Sequence, residues 1–319
     1  LPPRISISGG RAYENYYSVD GAGLGSLIDP LADNQNTIDQ VPGHPQRAFI
    51  HQDLIDSVTV YDSNIPAKYG RFVGGVVDAR TRMPSDTLGG NVSIRTTRDT
   101  WTEFQIDYED RDDFDRSDSF RQQPRFKKYD GGLELNVPIN DQMGVLGSYK
   151  RIQSDLELFH FGDLHKQGKT LETFHFKYAW TPPTPYTLEL TAAYTPSAED
   201  FFITETKDSD FSIKRGGYSL NGTLRGDLEV GGYELTAAYL KSSNTREAPA
   251  NFYTWRNTPS KSWGEEIGIN RSREGGFGDI ENTEQSLQLR ADLLSNVFET
   301  GALTHTLNAG AEYARDQAE

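Results

Sequence analysis

The chain has no cysteine and only two methionines among its 319 residues. Without cysteine it can form neither disulfides nor metal–thiolate sites, and it has no cysteine nucleophile. No stretch approaches the 18 consecutive apolar residues that suggest a membrane-spanning helix. The hydrophobic fraction of 35% is low for a globular protein with one large core. The sequence therefore excludes a disulfide framework and helical membrane spans.

Basic charge is also scarce, since the net charge is −15. A nucleic-acid partner needs a basic surface, so we expect none. Glycine and aromatic residues are plentiful, with 30 Gly, 16 Tyr and 16 Phe. Few hydrophobic residues together with many aromatics are typical of a wide β-barrel, in which one face of each strand meets lipid and the other meets water.

A glycine-rich passage separates two short predicted strands. Val58 and Val60 alternate with polar residues in the first strand, and an apolar run begins at Val76-Val77 in the second. Tyr69-Gly70 and Gly74-Gly75 lie between them. Because glycine accepts positive φ angles and close backbone approach, Gly70, Gly74 and Gly75 are predicted to form a structural turn. We expect the four valines to pack inside this unit and Arg80 and Arg82 to lead out of it.

Further elements are predicted before this passage. Ile5–Ser8 alternates as a strand that Gly9-Gly10 ends, Asn15–Gly21 is a strand with a terminal Asp-Gly turn, and Phe49–Ile55 is a short helix. In this order the motifs resemble the plug domain of TonB-dependent outer-membrane receptors, with its "I-x-I-R-G … N-x-Y-x-V-D-G" and "Y-G-x-x-x-G-G-V" passages. Ser8 departs from the pattern, because those plugs often carry arginine there.

The resemblance implies a small α/β plug, of which residues 1–84 are the C-terminal part, inside an antiparallel transmembrane barrel, of which residues 85–319 are the N-terminal part. Barrels of this family have about 22 strands and a plugged lumen. We therefore expect the chain to be an internal piece of a longer protein. The resemblance also implies partners: outer-membrane lipid, a small solute or siderophore-like ligand, and the TonB complex through a segment outside this chain. No cofactor is implied.

Residues after 85 alternate with period two. Leu188 and Leu190 share one face and are predicted to contact lipid, whereas Glu189 faces the lumen. We predict nine strands, starting near residues 88, 129, 142, 169, 186, 215, 232, 281 and 302. The first of them is a single long strand from Leu88 to Glu109.

The predicted connections alternate in length, as they do in outer-membrane barrels. The short ones are 138–141, 181–185, 230–232 and 296–302, and the long polar ones lie near 110–128, 159–168, 197–214 and 245–280. Trp180, next to a short connection, fits the periplasmic aromatic girdle. The long connections are predicted to face the outside of the cell.

Two groups of residues are candidates for ligand binding. Arg11, Tyr13, Tyr16 and Tyr17 combine a cation with aromatics, which suits an organic anion, although ordinary packing explains them equally well. Trp255 and Trp263 lie in the longest predicted connection, where they either stack on a ligand or pack the loop. No catalytic or metal-binding residue is predicted.

Three charged clusters have alternative interpretations. The acidic segment 109–118 either binds a cation or is a solvated loop, and it lacks the glycine and spacing of an EF-hand. His160 and His165 flank Asp163 without matching a known metal motif. Glu265-Glu266 and Asp113-Asp115 are carboxylate pairs, but nothing in the sequence sets the distance that glycoside hydrolysis requires.

The function that the resemblance implies is energised uptake of a scarce solute, such as an iron chelate, cobalamin, a glycan or a peptide, across the outer membrane of a Gram-negative bacterium. One alternative is a structural or adhesive outer-membrane barrel without active transport. Another is a secreted all-β carbohydrate-active protein, which would be soluble without detergent. A plug distinguishes the first hypothesis from the second, because an adhesin has no need of one.

Overall fold

The computed structural model describes residues 4–28, 30–32, 34, 37–38, 40–119, 121–301 and 303–319. It contains a four-stranded sheet near the N-terminus and a much larger antiparallel sheet. We call the residues up to 84 the N-terminal unit and the large sheet the wall. No helix among the described residues has the length and apolar character needed to cross a membrane.

The N-terminal unit is built on four strands in the order β2-β1-β4-β3. They are β1 (Tyr16–Val19), β2 (Ala22–Gly23), β3 (Ile55–Tyr61) and β4 (Val76–Thr81). Only the β1–β4 pair is parallel. Short 3-10 helices span Ala12–Glu14 and Gln52–Leu54.

The Asp-Gly turn predicted after β1 is confirmed. Asp20 and Gly21 have φ angles of 49° and 84°, the left-handed pair that a tight hairpin requires. The predicted strand Ile5–Ser8 is wrong, because Ser8 and Gly9 also have positive φ and the Gly10 amide donates to the Ile7 carbonyl at 2.9 Å. The predicted helix Phe49–Ile55 is reduced to one 3-10 turn, because Ile55 already belongs to β3.

A small apolar core joins the N-terminal unit to the wall. Tyr17, Leu24 and Ala48 pack against Ala238 and Leu240 of the wall. In β4, Val76 is fully buried and Val77 packs against this core. The prediction for Val58 and Val60 is wrong: they are 51% and 57% exposed, because β3 is an edge strand whose faces no described residue covers.

The wall is a ten-stranded sheet that follows chain order as an antiparallel meander with nine strand positions. One position holds two collinear segments, β9 and β10, which both pair with β8 and β12. The remaining elements are β5 (Gly89–Arg98), α1 (Arg111–Asp115), β6 (Arg125–Asn140), β7 (Met143–His160), β8 (Asp163–Trp180), β9 (Tyr186–Tyr194), β10 (Ser197–Phe201), β11 (Thr206–Lys207), β12 (Phe211–Leu228), β13 (Gly231–Glu247), β14 (Tyr253–Arg256), α2 (Trp263–Glu266), β15 (Arg271–Glu274), β16 (Ile280–Ser295), β17 (Phe298–Thr300), β18 (Leu303–His305) and β19 (Asn308–Ala318).

The wall curves around the N-terminal unit, since side chains from all nine of its strand positions contact that unit. Alternation along each strand separates this concave face from an apolar convex face. Glu189 is buried on the concave face, whereas Leu190 is 45% exposed on the convex one. The predicted register of this strand is therefore confirmed.

An aromatic row crosses the convex face. Tyr149, Phe174, Tyr194 and Tyr218 are cross-strand neighbours, and Tyr239 lies next to Tyr218 with ring centroids 6.0 Å apart. Towards the opposite rim, the rings of Trp180 and Tyr186 meet edge to face at 5.5 Å. Two aromatic levels bounding an apolar band are the girdles of an outer-membrane barrel. The predicted girdle position of Trp180 agrees with this arrangement.

The connections at one rim are 141–142, 181–185, 229–230 and 296–307, and we call it the short-loop rim. The opposite, long-loop rim carries 99–124, 161–162, 202–210 and 248–279. Three predictions are wrong here. The first strand ends at Arg98 rather than Glu109, the 159–168 loop is a two-residue turn, and the last connection is longer because it contains the β17–β18 hairpin.

Candidate functional site

The Asp20-Gly21 turn is the most strongly held contact between the N-terminal unit and the wall. The Asp20 carboxylate accepts hydrogen bonds from the Thr81 amide at 2.9 Å and the Thr81 hydroxyl at 2.6 Å. Lys177 of β8 reaches it with Nζ 3.3 Å from Asp20 Oδ1, and the same Nζ donates to the Thr81 carbonyl at 3.1 Å. The side chains of Lys177 and Asp20 are 2% and 5% exposed, so this ion pair is almost completely buried.

The ion pairs continue along the wall and return to the N-terminal unit. Lys177 Nζ lies 3.0 Å from Glu189 Oε2, and Arg225 pairs with both Glu189 and Glu234. Glu234 lies 3.9 Å from the guanidinium of Arg80 in β4. Charges of opposite sign therefore alternate along the network, and each buried carboxylate has a cation beside it. Such pairing is what allows charges to stay buried at all.

A second anchor lies at the 3-10 turn before β3. Lys150 of β7 donates to Asp53 at 3.0 Å and to Ser93 at 3.2 Å. His51 Nε2 lies 3.6 Å from a carboxylate oxygen of Asp130 in β6. The hydrogen bond from Lys150 is the main reason why the pKa of the Asp53 carboxyl is lowered, and the neighbouring cations add to it.

A third anchor joins the segment after β2 to β16. The Gln288 amide group both accepts from the Gly23 amide at 2.8 Å and donates to the Gly23 carbonyl at 2.9 Å. Glu284 accepts from the Ser26 hydroxyl and the Leu27 amide at 2.9 and 2.8 Å. Arg82 adds an ion pair with Glu134 of β6, so both predicted outgoing arginines meet the wall. Besides its apolar contacts with the wall, the N-terminal unit is thus held by ion pairs and hydrogen bonds to several strands.

The glycine turn between β3 and β4 has two tight positions and one open one. A Cβ on Gly75 would lie 2.5 Å from Ile7 Cγ2 and 2.7 Å from the Tyr61 carbonyl oxygen. A Cβ on Gly74 would overlap the side chain of Asn15. Gly70 has nothing within 4 Å of the equivalent point and a negative φ, so the argument for glycine does not apply there.

The four candidate residues of the N-terminal unit do not form one site. Arg11 and Tyr13 are exposed and joined by a hydrogen bond of 3.2 Å. Tyr17 is 4% exposed in the core, and its hydroxyl donates to the Ala12 carbonyl, so it cannot contact a solute. Tyr16 is half-buried beside Tyr69, and burial, followed by the charge of Glu312, raises its pKa to about 12.

Trp255 and Trp263 lie in the 248–279 connection and surround Lys261. The Lys261 ammonium is 5.0 Å from the Trp255 ring and 5.1 Å from the Trp263 ring, and it forms an ion pair with Glu274 at 2.7 Å. The indole N–H groups donate to Glu274 and to the Arg273 carbonyl. This contact with Lys261 lowers the pKa of the Glu274 carboxyl. The arrangement matches the packing interpretation of the two tryptophans.

The charged clusters at the long-loop rim form no metal centre among the residues that the structure describes. His165 pairs with Asp210 at 2.8 Å, and the tilted rings of His160 and Phe202 lie with their centroids 4.7 Å apart. The acidic segment contains α1, whose carboxylates pair with Arg111 and Arg116 at spacing i,i+4. Exposed pairs of this kind are ordinary surface chemistry.

Sequence reasoning missed the residues that anchor the N-terminal unit. The sequence pattern places Glu189 only on the lumen side of a strand and Asp20 only in a turn, and it assigns no role to Lys177. A signal was present, because charged side chains on the concave face of a barrel need partners. Which partner each one meets depends on contacts between residues up to 265 positions apart, such as Gly23 and Gln288.

No family model matches the chain. A curated relative, the uncharacterized protein YddB of Escherichia coli (strain K12), is 29% identical over 329 residues, which cover 99% of this chain and 41% of YddB. The crystal structure of the outer membrane transporter YddB from Escherichia coli superposes with a TM-score of 0.85 at 26% identity, covering 99% of this chain and 42% of that one. The siderophore receptor PirA from Acinetobacter baumannii shares the fold, with a TM-score of 0.63, 15% identity, and coverage of 98% of this chain and 41% of PirA.

The antiparallel wall, its aromatic girdles and the folded unit on its concave face define an outer-membrane β-barrel protein. The chain spans about two fifths of the length of the curated relative that it matches. Over nearly its whole length the chain is similar to an outer-membrane transporter, and its location is the outer membrane of a Gram-negative bacterium.

Proposed function

We propose that the chain is part of a receptor that takes up a scarce solute across the outer membrane and draws its energy from the TonB complex. Residues 1–84 act as the plug and residues 85–319 as the first part of a barrel of about 22 strands. The solute binds on the side of the long-loop rim, with Arg11, Tyr13, Trp255 and Trp263 as candidate contacts. No step of this process is catalytic.

The observation that carries the proposal is the polar attachment of the N-terminal unit. A unit that fills a barrel permanently is best held by an apolar interface, whereas Asp20–Lys177 and Asp53–Lys150 are ion pairs. Ion pairs and hydrogen bonds can be exchanged for water at a modest net free-energy difference, so such a unit can be displaced and reseated. A structural or adhesive barrel, the second candidate, has no use for a removable plug.

The decisive experiment uses the full-length receptor and the purified periplasmic domain of TonB. The proposal expects saturable binding between them, and a structural barrel would show none. Uptake is then measured in cells with and without TonB, for ferric siderophores, cobalamin, glycans and peptides in turn. TonB binding without any TonB-dependent uptake in this panel would support the receptor class and reject these solutes.

A cross-link then tests whether the plug must move. Ser26→Cys with Glu284→Cys joins the N-terminal unit to the wall at side chains 2.9 Å apart, by means of a short thiol cross-linker. Lys214→Cys with Glu247→Cys joins two wall strands at a similar distance of 2.6 Å and serves as the matched control. We expect the first cross-link alone to stop uptake, and reduction or omission of the linker to restore it.

A further inference from the structure

Arg246 is one of the most deeply buried charged residues of the wall, with 1% of its surface exposed. It stands near the end of β13, at the root of the 248–279 connection. Its Nε donates to the Gly278 carbonyl at 2.9 Å, and Nη2 donates to the Phe277 carbonyl at 3.1 Å. One edge of the guanidinium therefore holds the C-terminal end of the 248–279 connection.

The same guanidinium also holds the N-terminal unit. Its Nη1 donates to the carbonyls of Thr37 and Gln40, the latter at 3.2 Å, and Nη2 donates to the Ile38 carbonyl at 3.3 Å. We call the described residues 37, 38 and 40–43 the upper loop. A planar fork of N–H donors suits this task, because it can serve acceptors on two sides at once.

Independent contacts fasten the upper loop to the same place. Val41 is fully buried against Phe211 and Ile213, and Ala248 and Ile280 pack on this cluster. Asn244 donates to the Pro42 carbonyl at 3.0 Å. The cluster therefore contains the first residue after β13 and the first residue of β16, which are the two ends of the 248–279 connection.

We propose that Arg246 is a positioning residue that makes the upper loop and the 248–279 connection move as one body. Separating either segment would leave buried N–H donors of a charged group without acceptors, which is costly. A contact made at Trp255 or Trp263 from outside the cell is then transmitted to the N-terminal unit through Arg246 and the apolar cluster beside it. This inference does not depend on which solute the receptor takes up.

Hydrogen–deuterium exchange on the full-length receptor tests the coupling, with the amides of Gln40, Val41 and Gly43 and those of residues 276–279 followed separately. Arg246→Met should raise exchange at both sets by the same factor, at least about tenfold, which corresponds to about 1.4 kcal/mol. Lys214→Met, the control, removes an exposed cation paired with Glu247 from the same end of the wall and should change neither set. A rise at only one set, or at neither, would overturn the proposal.

Arg246→Lys keeps the test decisive if the methionine variant does not fold. Lysine retains the buried charge but has a single donor nitrogen, which cannot span both segments. We expect one set of amides to keep its protection while the other loses it. If both sets stay protected with lysine, the fork is not needed and Arg246 does not couple the segments.

Discussion

Removing the Lys177 ammonium should loosen the N-terminal unit while the wall stays folded. Lys177→Met deletes ion pairs with Asp20 at 3.3 Å and Glu189 at 3.0 Å, but it keeps most of the side-chain volume. Removing one member of a buried pair costs about 3–5 kcal/mol. Asp20 keeps its bonds from Thr81 and Glu189 keeps Arg225, so we expect a lower value of about 2–3 kcal/mol for this pair.

This loss of stability is measured by hydrogen exchange at amides 16–20 and 76–81 in the full-length receptor, which gives the free energy of opening of the N-terminal unit. Amides of β12 and β13 report on the wall. Lys166→Met, on the same strand, breaks an exposed pair with Asp155 and should cost no more than about 1 kcal/mol. A double-mutant cycle with Asp20→Asn should show a coupling of about 1 kcal/mol or more.

Two results would refute this reasoning. If wall amides opened in parallel with those of the N-terminal unit, the network would stabilise the whole structure rather than the contact between its two parts. If Lys177→Met and Asp20→Asn had strictly additive effects, the 3.3 Å contact between Lys177 and Asp20 would carry no interaction energy of its own.

Three further predictions follow from the geometry. Leu190→Arg on the convex face should lower the free energy of unfolding in bilayers by about 2–4 kcal/mol if the residue lies near the midplane. The control, Leu190→Phe, should be tolerated, and urea titration measures both variants. Equal losses of stability would mean that this face does not contact lipid. Gly75→Val should displace the N-terminal unit, because its new Cβ would clash with Ile7 and Tyr61, and should raise the permeability of cells to large antibiotics. The control, Gly70→Ala, should leave the permeability barrier intact. Increased permeability with Gly70→Ala alone would contradict the steric argument. The pKa of the Asp53 carboxyl is lowered from its ordinary value of 3.8, so its contact with Lys150 should stabilise the N-terminal unit above pH 3.8. This stabilisation should be lost as the pH falls through the lowered pKa. Hydrogen exchange at amides 52–58, measured against pH, should show the loss in the wild type and not in Asp53→Asn.

The strand positions of the wall could be predicted because an apolar convex face and a polar concave face give each strand a period of two. Leu190 and Glu189 fall on the predicted sides for that reason. The prediction failed where strands extend beyond the membrane. Residues 159–168 look like a polar loop, but they continue β7 and β8 above the aromatic row, where no lipid enforces alternation.

The contacts of the N-terminal unit were much less predictable. Its turn at Asp20-Gly21 follows from local backbone chemistry, and Gly74 and Gly75 stand at tight positions. Val58 looked like a core residue because alternation shows that a strand has two faces, but not which neighbour covers them. The anchors of the unit depend on side chains from distant strands, so only the folded wall brings Lys177 to Asp20.

The aromatic row has a consequence for how this protein can diversify. Above it, outward side chains such as Lys214 and Lys241 are exposed and polar, and the strands there meet water on that face. Below the row, outward side chains lie in the apolar band, where charged substitutions destabilise a barrel. Substitutions above it fall in exposed segments, which tolerate sequence change more readily. We expect sequence drift among natural variants to concentrate above Tyr149, Phe174 and Tyr194, while the apolar band beneath them stays nearly fixed in character.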